Sequence, residues 1–427
     1  MKVARWKVVG LAGALALGYV ASADAAQIKV DDKTWANFGL NMKVFYYNRD
    51  KRSNSTTAGG WKQNVFDVDQ TKIYFSGQVT PLFQFYSELD TDPTTAGRTA
   101  RLGEAGVNLA FSKEFQVLVG RIRKSFARAF LVSGYAQLTP QSFWLDPQEG
   151  LGAIRGALGR TDQGLMVHGD LAGGMFRYRV GVYNEDRSNA TKYWDGTGWR
   201  GFGYVGKLND KKNFEWNARI EFTPTMLGFK PESAATITTK INDTYLGGRD
   251  VLTIGLGYHT ETHTPKYSAV GDLKRKGWTV DAMFEKKYGN VVPNLQIGYI
   301  SFDKTHFYKD LYTNTVKKGD ADIWYVTGQL LFDQVAWLGK PAIAFRYEKI
   351  TGDGQYNYGG NIKKDLTAET FGLAFNYYIK GQDARISVGF DQTKYKDALK
   401  YFLKYGSSTE KKEDSITDWY IYFQSRF

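Results

Sequence analysis

Apolar and polar residues alternate with a period of two along most of this chain. In the final segment, the apolar phase consists of Trp419, Ile421, Phe423 and Phe427. The intervening phase carries the polar residues Asp418, Gln424 and Arg426. Because successive side chains of a strand point to opposite faces, this pattern predicts a β-strand with one apolar face.

Sixteen such segments predict an all-β protein. They lie near 36–47, 65–80, 82–90, 102–112, 115–124, 162–170, 174–183, 214–223, 250–259, 276–287, 293–303, 321–332, 340–350, 368–380, 383–394 and 415–427. In water such strands would pack as a sandwich with their apolar faces inside. In lipid they must close into a ring with those faces outside, since no edge can stay unpaired. We therefore expect a transmembrane antiparallel β-barrel of about 16 strands.

The lengths of the connections favour the membrane barrel, which has short periplasmic turns and long external loops. Short connections are predicted at 80–81, 112–114, 171–173, 288–292, 333–339 and 381–382. Long ones alternate with them at 48–64, 91–101, 125–161, 184–213, 260–275, 304–320, 351–367 and 395–414. The connection 224–249 breaks this rule, so it is either an insertion or contains strands that the pattern does not show.

The N-terminus has the features of a secretory signal peptide. Lys2, Arg5 and Lys7 precede an apolar stretch at 8–20, and small residues follow at the expected cleavage site. The apolar stretch is shorter than the roughly 20 residues that a membrane-spanning helix needs. We expect residues 1–25 to be cleaved and residues 26–427 to form a single barrel domain in the bacterial outer membrane.

Composition agrees with an exported barrel. The chain has no cysteine, so no disulfide stabilises it, and 15% of its residues are aromatic. Its mean hydropathy is −0.42. A membrane protein with a hydrophilic average must distribute its apolar residues by alternation, as barrel strands do.

The external connection 125–161 is too apolar for a solvated loop, because it contains Phe126, Phe130, Phe143 and Trp144. Inside a barrel such a segment can be buried only in the lumen. We expect it to fold inward as a constriction loop, with a lid or a subunit-contact loop as the alternative.

Several segments resemble the phosphate-selective porin O and P family of bacterial outer-membrane porins. They are Gly77–Pro81 with Phe83–Asp90, Phe115–Gly120 with Phe126–Arg128, Gly159–Gly169 with Met175–Asn184, and Phe371–Tyr378 with Arg385–Phe390. The resemblance implies a sixteen-stranded homotrimeric porin, some members of the family being selective for phosphate or related anions. The final aromatic residue, Phe427, likewise resembles the terminal signal read by the barrel-assembly machinery.

Basic pairs or runs occur in all seven of the other predicted external loops. They are Lys51-Arg52, Arg98 with Arg101, Lys211-Lys212, Lys274-Arg275-Lys276, Lys317-Lys318, Lys363-Lys364 and Lys411-Lys412. A ring of positive charge would raise the local concentration of anionic solutes. Alternatively, the pairs bind phosphates of outer-membrane lipid and lipopolysaccharide, or are simply solvated.

The predicted lumen wall is mixed in charge, so its narrowest section should decide selectivity. By strand alternation the inward bases are Lys43, Arg177, Arg179, Arg219, Arg346, Arg385 and Arg426. The inward acids are Glu88, Asp90, Glu104, Glu221, Asp281, Glu285, Glu348, Asp391 and Asp418. The candidate constriction holds Arg121, Arg123, Lys124, Arg128, Arg155 and Arg160 against Asp146, Glu149 and Asp162. This excess of bases predicts a weak preference for anions such as phosphate.

Enzymatic functions find little support. His259 and His263 flank Glu261, but they are predicted where a strand enters a loop, with no further metal ligand evident. No Ser-His constellation is apparent, no cofactor is implied, and export argues against a nucleic-acid partner. The two remaining hypotheses are a diffusion porin and a barrel that serves as a structural sleeve or adhesive surface. The apolar loop favours the porin, because a sleeve requires an open lumen.

Deletion of Phe427 should impair assembly more than stability. A single residue at a strand end contributes about 1.5–3 kcal/mol at most. The amount of barrel inserted in cells should fall, while refolding into detergent should change little. Normal insertion of the deletion variant in cells would contradict an assembly role.

Overall fold

The computed structural model describes residues 26–50, 63–91, 100–140, 160–184, 192–197, 199–201, 213–232, 238–263, 273–405 and 414–427. It confirms a closed barrel of sixteen antiparallel strands. In chain order, β1 to β16 are Trp35–Asp50, Gln63–Gln78, Phe83–Thr91, Ala100–Ala110, Gln116–Arg123, Thr161–Leu171, Phe176–Asn184, Phe214–Phe222, Val251–His263, Leu273–Glu285, Val291–Asp310, Thr315–Phe332, Lys340–Tyr358, Asn361–Lys380, Ala384–Lys396 and Ser415–Arg426.

The remaining elements are short. Three short strands, Ala26–Lys29, Lys192–Trp194 and Trp199–Gly201, lie outside this set. The helices are α1 (Arg128–Leu131) and α2 (Asp397–Tyr405), with 3₁₀ turns at Ala172–Gly174 and Thr225–Leu227. No helix among these described residues is long and apolar enough to cross a membrane, a criterion that does not apply to strands.

The barrel closes where β16 pairs with β1, from Arg426↔Asn41 to Thr417↔Asp50. Phe427 continues this pairing through two backbone hydrogen bonds with Leu40, of 3.0 and 3.1 Å. The Tyr74 hydroxyl donates to the Phe427 carbonyl oxygen at 2.9 Å. Gly39 is required beside this contact, because a Cβ there would lie 2.1 Å from the Tyr74 ring. The terminal residue is therefore part of the closing seam.

Along each strand, successive side chains point alternately toward the lipid and toward the lumen. On β10, Trp278 and Val280 are 50% and 38% exposed, whereas their neighbours Thr279 and Asp281 are buried. Exposed apolar side chains recur around the outside, as Leu256, Ile297 and others show. A closed barrel with an apolar outer belt fits a bilayer, because all strand backbone groups are paired.

Outward aromatic side chains form a girdle toward the end that carries the long loops, hereafter the loop end. Contacting ring pairs include Trp278–Tyr299 at 5.1 Å, Trp324–Tyr347 at 5.0 Å and Phe390–Trp419 at 4.9 Å between centroids. Aromatic girdles mark the interface between hydrocarbon and water in membrane barrels. On β10 to β16 the girdle therefore marks the boundary of the hydrocarbon layer on the side of the loop end.

Several predicted loops are wrong, because strands continue through them. The chain reverses tightly at 311–314 and at 359–360, where loops 304–320 and 351–367 were expected. α2 occupies part of the expected loop 395–414. The tops of these strands continue to pair beyond the girdle, for example Tyr308↔Lys317, although β-bulges shift the register between Phe302 and His306 and between Gly352 and Gln355.

The basic runs on these segments consequently lie on strands rather than in loops. Lys274-Arg275-Lys276 lies on β10, Lys317-Lys318 on β12 and Lys363-Lys364 on β14. Arg275 faces the interior and pairs with Glu261, so it does not belong to an external ring. Arg101 is the second residue of β4. The other basic residues, Lys51-Arg52, Arg98, Lys211-Lys212 and Lys411-Lys412, lie outside the described residues, as do residues 1–25.

An apolar cluster fills part of the lumen near the loop end, where alternation had predicted a polar wall. Its largest members are Phe126, Phe130, Trp194, Phe302, Ile323, Tyr325, Leu366, Leu399 and Leu403. The last two belong to α2, which folds back into the mouth and buries its apolar face. The lumen is therefore packed along β11 to β15.

Boiling should change the electrophoretic mobility of the detergent-extracted protein. A closed barrel stays folded in mild detergent because every strand is paired with two neighbours. The unboiled sample should migrate differently from the boiled one and give a circular dichroism spectrum dominated by strand. A mainly helical spectrum would be incompatible with this fold.

Candidate pore constriction

Residues 124–140 leave β5 and run through the lumen. Almost all of them are buried, as expected for an inward-folded loop. On one side Arg219 Nη1 donates to the Phe126 carbonyl at 3.2 Å. Opposite, Arg385 Nη1 donates to the Gln137 carbonyl at 2.6 Å. The segment, here called the crossing loop, thus spans the lumen from β8 to β15.

The tip of the crossing loop is held by wall residues that alternation places inside. Lys43 donates to the Gly134 carbonyl. Gln424 Nε2 donates to the Tyr135 carbonyl at 2.9 Å. Because these bonds use backbone carbonyls, they fix the path of the loop whatever side chains it carries.

The irregular connection 224–249 is an insertion that enters the lumen from the opposite end. Ile241 forms a parallel bridge with Val132 of the crossing loop. Ile241 N donates to the Leu131 carbonyl at 3.0 Å, and Asp243 N donates to the Ala136 carbonyl at 3.0 Å. The described residues of this connection contain no additional barrel strand. Two inserted segments therefore meet inside the barrel.

Arg128 joins these two segments. Its guanidinium lies 2.8 Å from Glu232 and 3.0 Å from Asp243, both on the insertion. It also donates to Gln296 Oε1 at 2.5 Å, and its backbone N–H donates to Asp281 Oδ2 at 3.0 Å. The residue is 2% exposed, so a permeating solute does not meet this side chain.

The charge of Arg128 is retained despite its burial. Burial lowers the pKa of Arg128, but attraction to Glu232 and Asp243 outweighs this effect and leaves the pKa above its ordinary value. The sequence pattern gave no reason to place an acid of 224–249 in the lumen, because that segment does not alternate with a period of two. The expected excess of bases is partly neutralised by these acids.

The other candidate constriction residues fall into different environments. Arg123 pairs with Glu104 at 2.8 Å, and Lys124 pairs with Glu215. Arg160 Nη2 donates to the Val132 carbonyl at 2.6 Å, which Arg123 Nη1 also contacts at 2.6 Å. Thus Arg123 and Arg160 converge on the crossing loop.

Arg121 points away from this group. It lies in phase with Val119, which is 45% exposed on the lipid side of β5, while Leu118 and Ile122 are buried. Its Nε donates to the Gly103 carbonyl at 3.0 Å. At this point of β5 the outward phase carries Arg121 away from the crossing loop, which Arg123 reaches only where the chain leaves the strand, and a constriction role for Arg121 stays a prediction. Arg155 lies outside the described residues.

The wall bases face the interior and are mostly bound to acids or to the crossing loop. Ion pairs join Arg179 to Glu221 at 2.6 Å, Arg219 to Asp281 at 2.6 Å, Arg346 to Asp391 at 2.9 Å and Arg177 to Asp170 at 2.5 Å. Lys43 and Arg385 hold carbonyls of the crossing loop. These contacts brace the wall and compensate most of its charge.

A cavity of about 220 Å³ remains between β1–β3 and the tip of the crossing loop. Its charged lining residues are Lys72, Arg123, Lys240, Arg426 and Glu88. Glu88 is held between two of them, 2.5 Å from Lys72 and 2.6 Å from Lys240. Four bases and one acid line this space, while acids outside the lining pair with three of the bases: Glu104 lies 2.8 Å from Arg123 and 3.3 Å from Lys240, and Asp383 lies 2.6 Å from Arg426.

Two of these residues were missed by sequence reasoning. Lys72 could have been found, because it alternates with Ile73 and Phe75 in the segment 65–80. Lys240 gave no signal, because the insertion has no periodic pattern. Its position follows from the bridge between the neighbouring Ile241 and Val132 of the crossing loop.

His263 is the last residue of β9, where a strand-to-loop junction was predicted, whereas His259 lies within the strand. Both belong to β9, and His259 is buried beside Asn217 at 2.9 Å, Glu261 at 3.2 Å and Glu215 at 3.3 Å. His168 lies 3.1 Å from Asn108 on the lumen wall. In the part of the chain that the structure describes, no group of His, Cys, Asp and Glu is arranged to hold a metal.

Comparison with solved structures shows what the barrel is similar to. OmpF of Salmonella typhi aligns with 93% of this chain and 100% of its own, at a TM-score of 0.53 and 14% identity. The outer-membrane channel DcaP of Acinetobacter baumannii aligns with 93% of this chain and 99% of its own, at a TM-score of 0.53 and 10% identity. An anion-selective porin from Comamonas acidovorans aligns with 92% of this chain and 100% of its own, at a TM-score of 0.51 and 10% identity. The chain has the fold of bacterial outer-membrane porins. The apolar belt described above agrees with a barrel that spans a membrane.

Sequence comparison adds little about function. No family model matches the chain. An uncharacterized protein of Aquifex aeolicus (strain VF5) is 25% identical over 297 residues, covering 67% of this chain and 62% of the relative. The chain thus spans less than two thirds of that relative's length, and membership of the phosphate-selective family remains a hypothesis.

Replacing Arg128 by Ala should loosen both inserted segments. The substitution leaves Glu232 and Asp243 buried without their base, and removing one partner of a buried ion pair costs about 3–5 kcal/mol. Hydrogen exchange in 126–140 and 238–248 should accelerate, and single-channel current should become larger and noisier.

The matched control is Arg179→Ala. This change also removes a buried arginine, but one whose ion pair, to Glu221 at 2.6 Å, lies within the barrel wall. Exchange in the two segments should stay close to wild type. Equal effects of the two substitutions would show that Arg128 does not hold the segments together.

Proposed function

We propose that this protein is an outer-membrane porin through which small hydrophilic solutes diffuse, with a preference for small anions. The observation that carries the proposal is the cavity of about 220 Å³ beside β1–β3, with four bases and one acid in its lining. Charge at the narrowest section of a water-filled pore acts on a permeating ion with little screening. The route runs along this wall because the lumen beside β11–β15 is packed.

Anions such as phosphate are the proposed solutes, in keeping with the resemblance to the phosphate-selective porin O and P family. The name of the Comamonas acidovorans porin describes it as anion-selective, and its fold is similar. Lysine ammonium groups interact with multi-oxygen anions as point charges. A homotrimer, assembly through recognition of Phe427, and contact with lipopolysaccharide belong to the same proposal.

The alternative function, a sleeve around a partner or an adhesive barrel, is less well supported. A sleeve needs an open lumen, whereas two segments cross this one and are bridged by Arg128. An adhesive role would rest on external loops, several of which lie outside the described residues. The interior is therefore the better guide to function.

Replacing Lys72 and Lys240 together by Gln should shift the reversal potential in a salt gradient toward cations. At about 4 Å in water, one positive unit charge stabilises a passing monovalent anion by about 1 kcal/mol. Loss of two such charges should lower the anion-to-cation permeability ratio by roughly an order of magnitude. Glu88 would also lose both of its basic partners, which acts in the same direction.

The control carries Lys286→Gln and Lys287→Gln, two lysines next to the turn at 288–290 and away from the cavity lining. Its selectivity should match that of wild type. A cation preference of the wild-type channel would refute the anion hypothesis. A shift only in the control would locate the selective section elsewhere.

A further inference from the structure

A second cavity lies at the loop end, where β14, β15, α2 and the start of β16 meet. Its volume is about 640 Å³. Five of its lining residues are lysines: Lys363, Lys364, Lys394, Lys396 and Lys400. This cavity is here called the lysine pocket. Two acids, Asp397 and Asp414, share the lining, which leaves a clear excess of positive charge.

Ion pairing accounts for only two of the five lysines. Lys400 lies 2.9 Å from Asp414, and Lys396 lies 2.6 Å from Glu369. Lys363, Lys364 and Lys394 have no ion-pair partner among the residues that the structure describes. Like charges that share a concave space repel one another, so an anion bound there would relieve the repulsion.

The pocket is preorganised by aromatic contacts. The Lys363 ammonium lies 4.9 Å from the centroid of the Tyr401 ring, and the Lys364 ammonium lies 5.5 Å from that of Tyr312. Tyr401 belongs to α2, whose position is fixed by the buried Leu399 and Leu403. Cation–π contacts restrict the long lysine side chains, so less conformational entropy is lost when a ligand binds. Freely solvated surface lysines would lack these contacts.

The chemistry of the pocket suits a phosphate-bearing ligand. Three ammonium groups that make no ion pair with the described residues match a multiply charged anion whose oxygens accept several hydrogen bonds. The volume of about 640 Å³ is large enough for a phosphate together with the sugar that carries it.

Height above the membrane favours a lipid as the source of the phosphate. Lys394 and Lys396 lie in phase with the girdle residue Phe390, four and six residues nearer the loop end of β15. At about 3.3 Å per residue and a tilt of about 45°, they stand roughly 9 and 14 Å above it. Both positions lie above the lipid headgroup layer, which is about 5–8 Å thick, and the long lysine side chains can reach back down to it.

We propose that the lysine pocket binds a phosphate-bearing anion, supplied by the headgroup of an outer-leaflet lipid. This site is separate from the pore cavity on β1–β3. It gives Lys363-Lys364 a role in anchoring the barrel to its membrane rather than in attracting solutes to the pore.

The test compares three proteins that are each shown to be folded by their heat-modifiable mobility. They are wild type, the variant Lys363→Gln/Lys364→Gln/Lys394→Gln, and a control with Lys274→Gln/Lys276→Gln/Lys304→Gln. The control removes the same charge from lysines that lie at the loop end but outside the pocket. Binding of diphosphoryl lipid A in detergent micelles is counted by native mass spectrometry, with dephosphorylated lipid A and inorganic phosphate as further probes.

Wild type and the control should retain diphosphoryl lipid A, and the pocket variant should lose affinity about tenfold or more. Dephosphorylated lipid A should not bind at this site. Lysine-dependent binding of inorganic phosphate without binding of lipid A would overturn the lipid source and retain the phosphate chemistry. Equal binding of lipid A by the pocket variant and wild type would overturn the proposal altogether.

Discussion

Every other feature of this structure depends on the rule that no backbone hydrogen-bonding group can remain unpaired in hydrocarbon. The rule forces β16 onto β1 and extends the pairing to Phe427, whose backbone bonds to Leu40. Closure then gives the barrel an interior in which irregular segments can lie, because there they meet polar wall groups instead of lipid. The crossing loop uses this space by offering its carbonyls to Lys43, Arg385 and Gln424.

Burial of charge imposes the next constraint. An arginine as buried as Arg128 is tolerated only with acids beside it, and the insertion supplies Glu232 and Asp243. The same contacts that satisfy this charge connect two segments that enter from opposite ends. Consequently most arginines of the lumen serve the architecture, whereas Lys72 and Lys240 line the remaining cavity together with Arg123 and Arg426.

The lumen is asymmetric as a result. Apolar residues of α2 and the crossing loop pack against β11–β15, while the cavity remains beside β1–β3. A charge count over the whole wall is therefore a poor guide to selectivity. Position relative to the open space decides which charges act, as the contrast between the buried Arg346 and the cavity-lining Lys72 shows.

The sequence alone determined the membrane barrel, because a period of two is a local property that each strand carries in its own residues. It also indicated the inward fold of the loop containing Phe126 and Phe130, since so apolar a segment requires burial. Only the tertiary structure placed Lys240, Glu232 and Asp243 in the lumen, because the insertion has no periodicity and its path is set by distant contacts such as Ile241 with Val132. The tertiary structure also decided that Arg121 points outward and that Arg128 is paired with acids, because the residues that surround a charged side chain come from distant parts of the sequence.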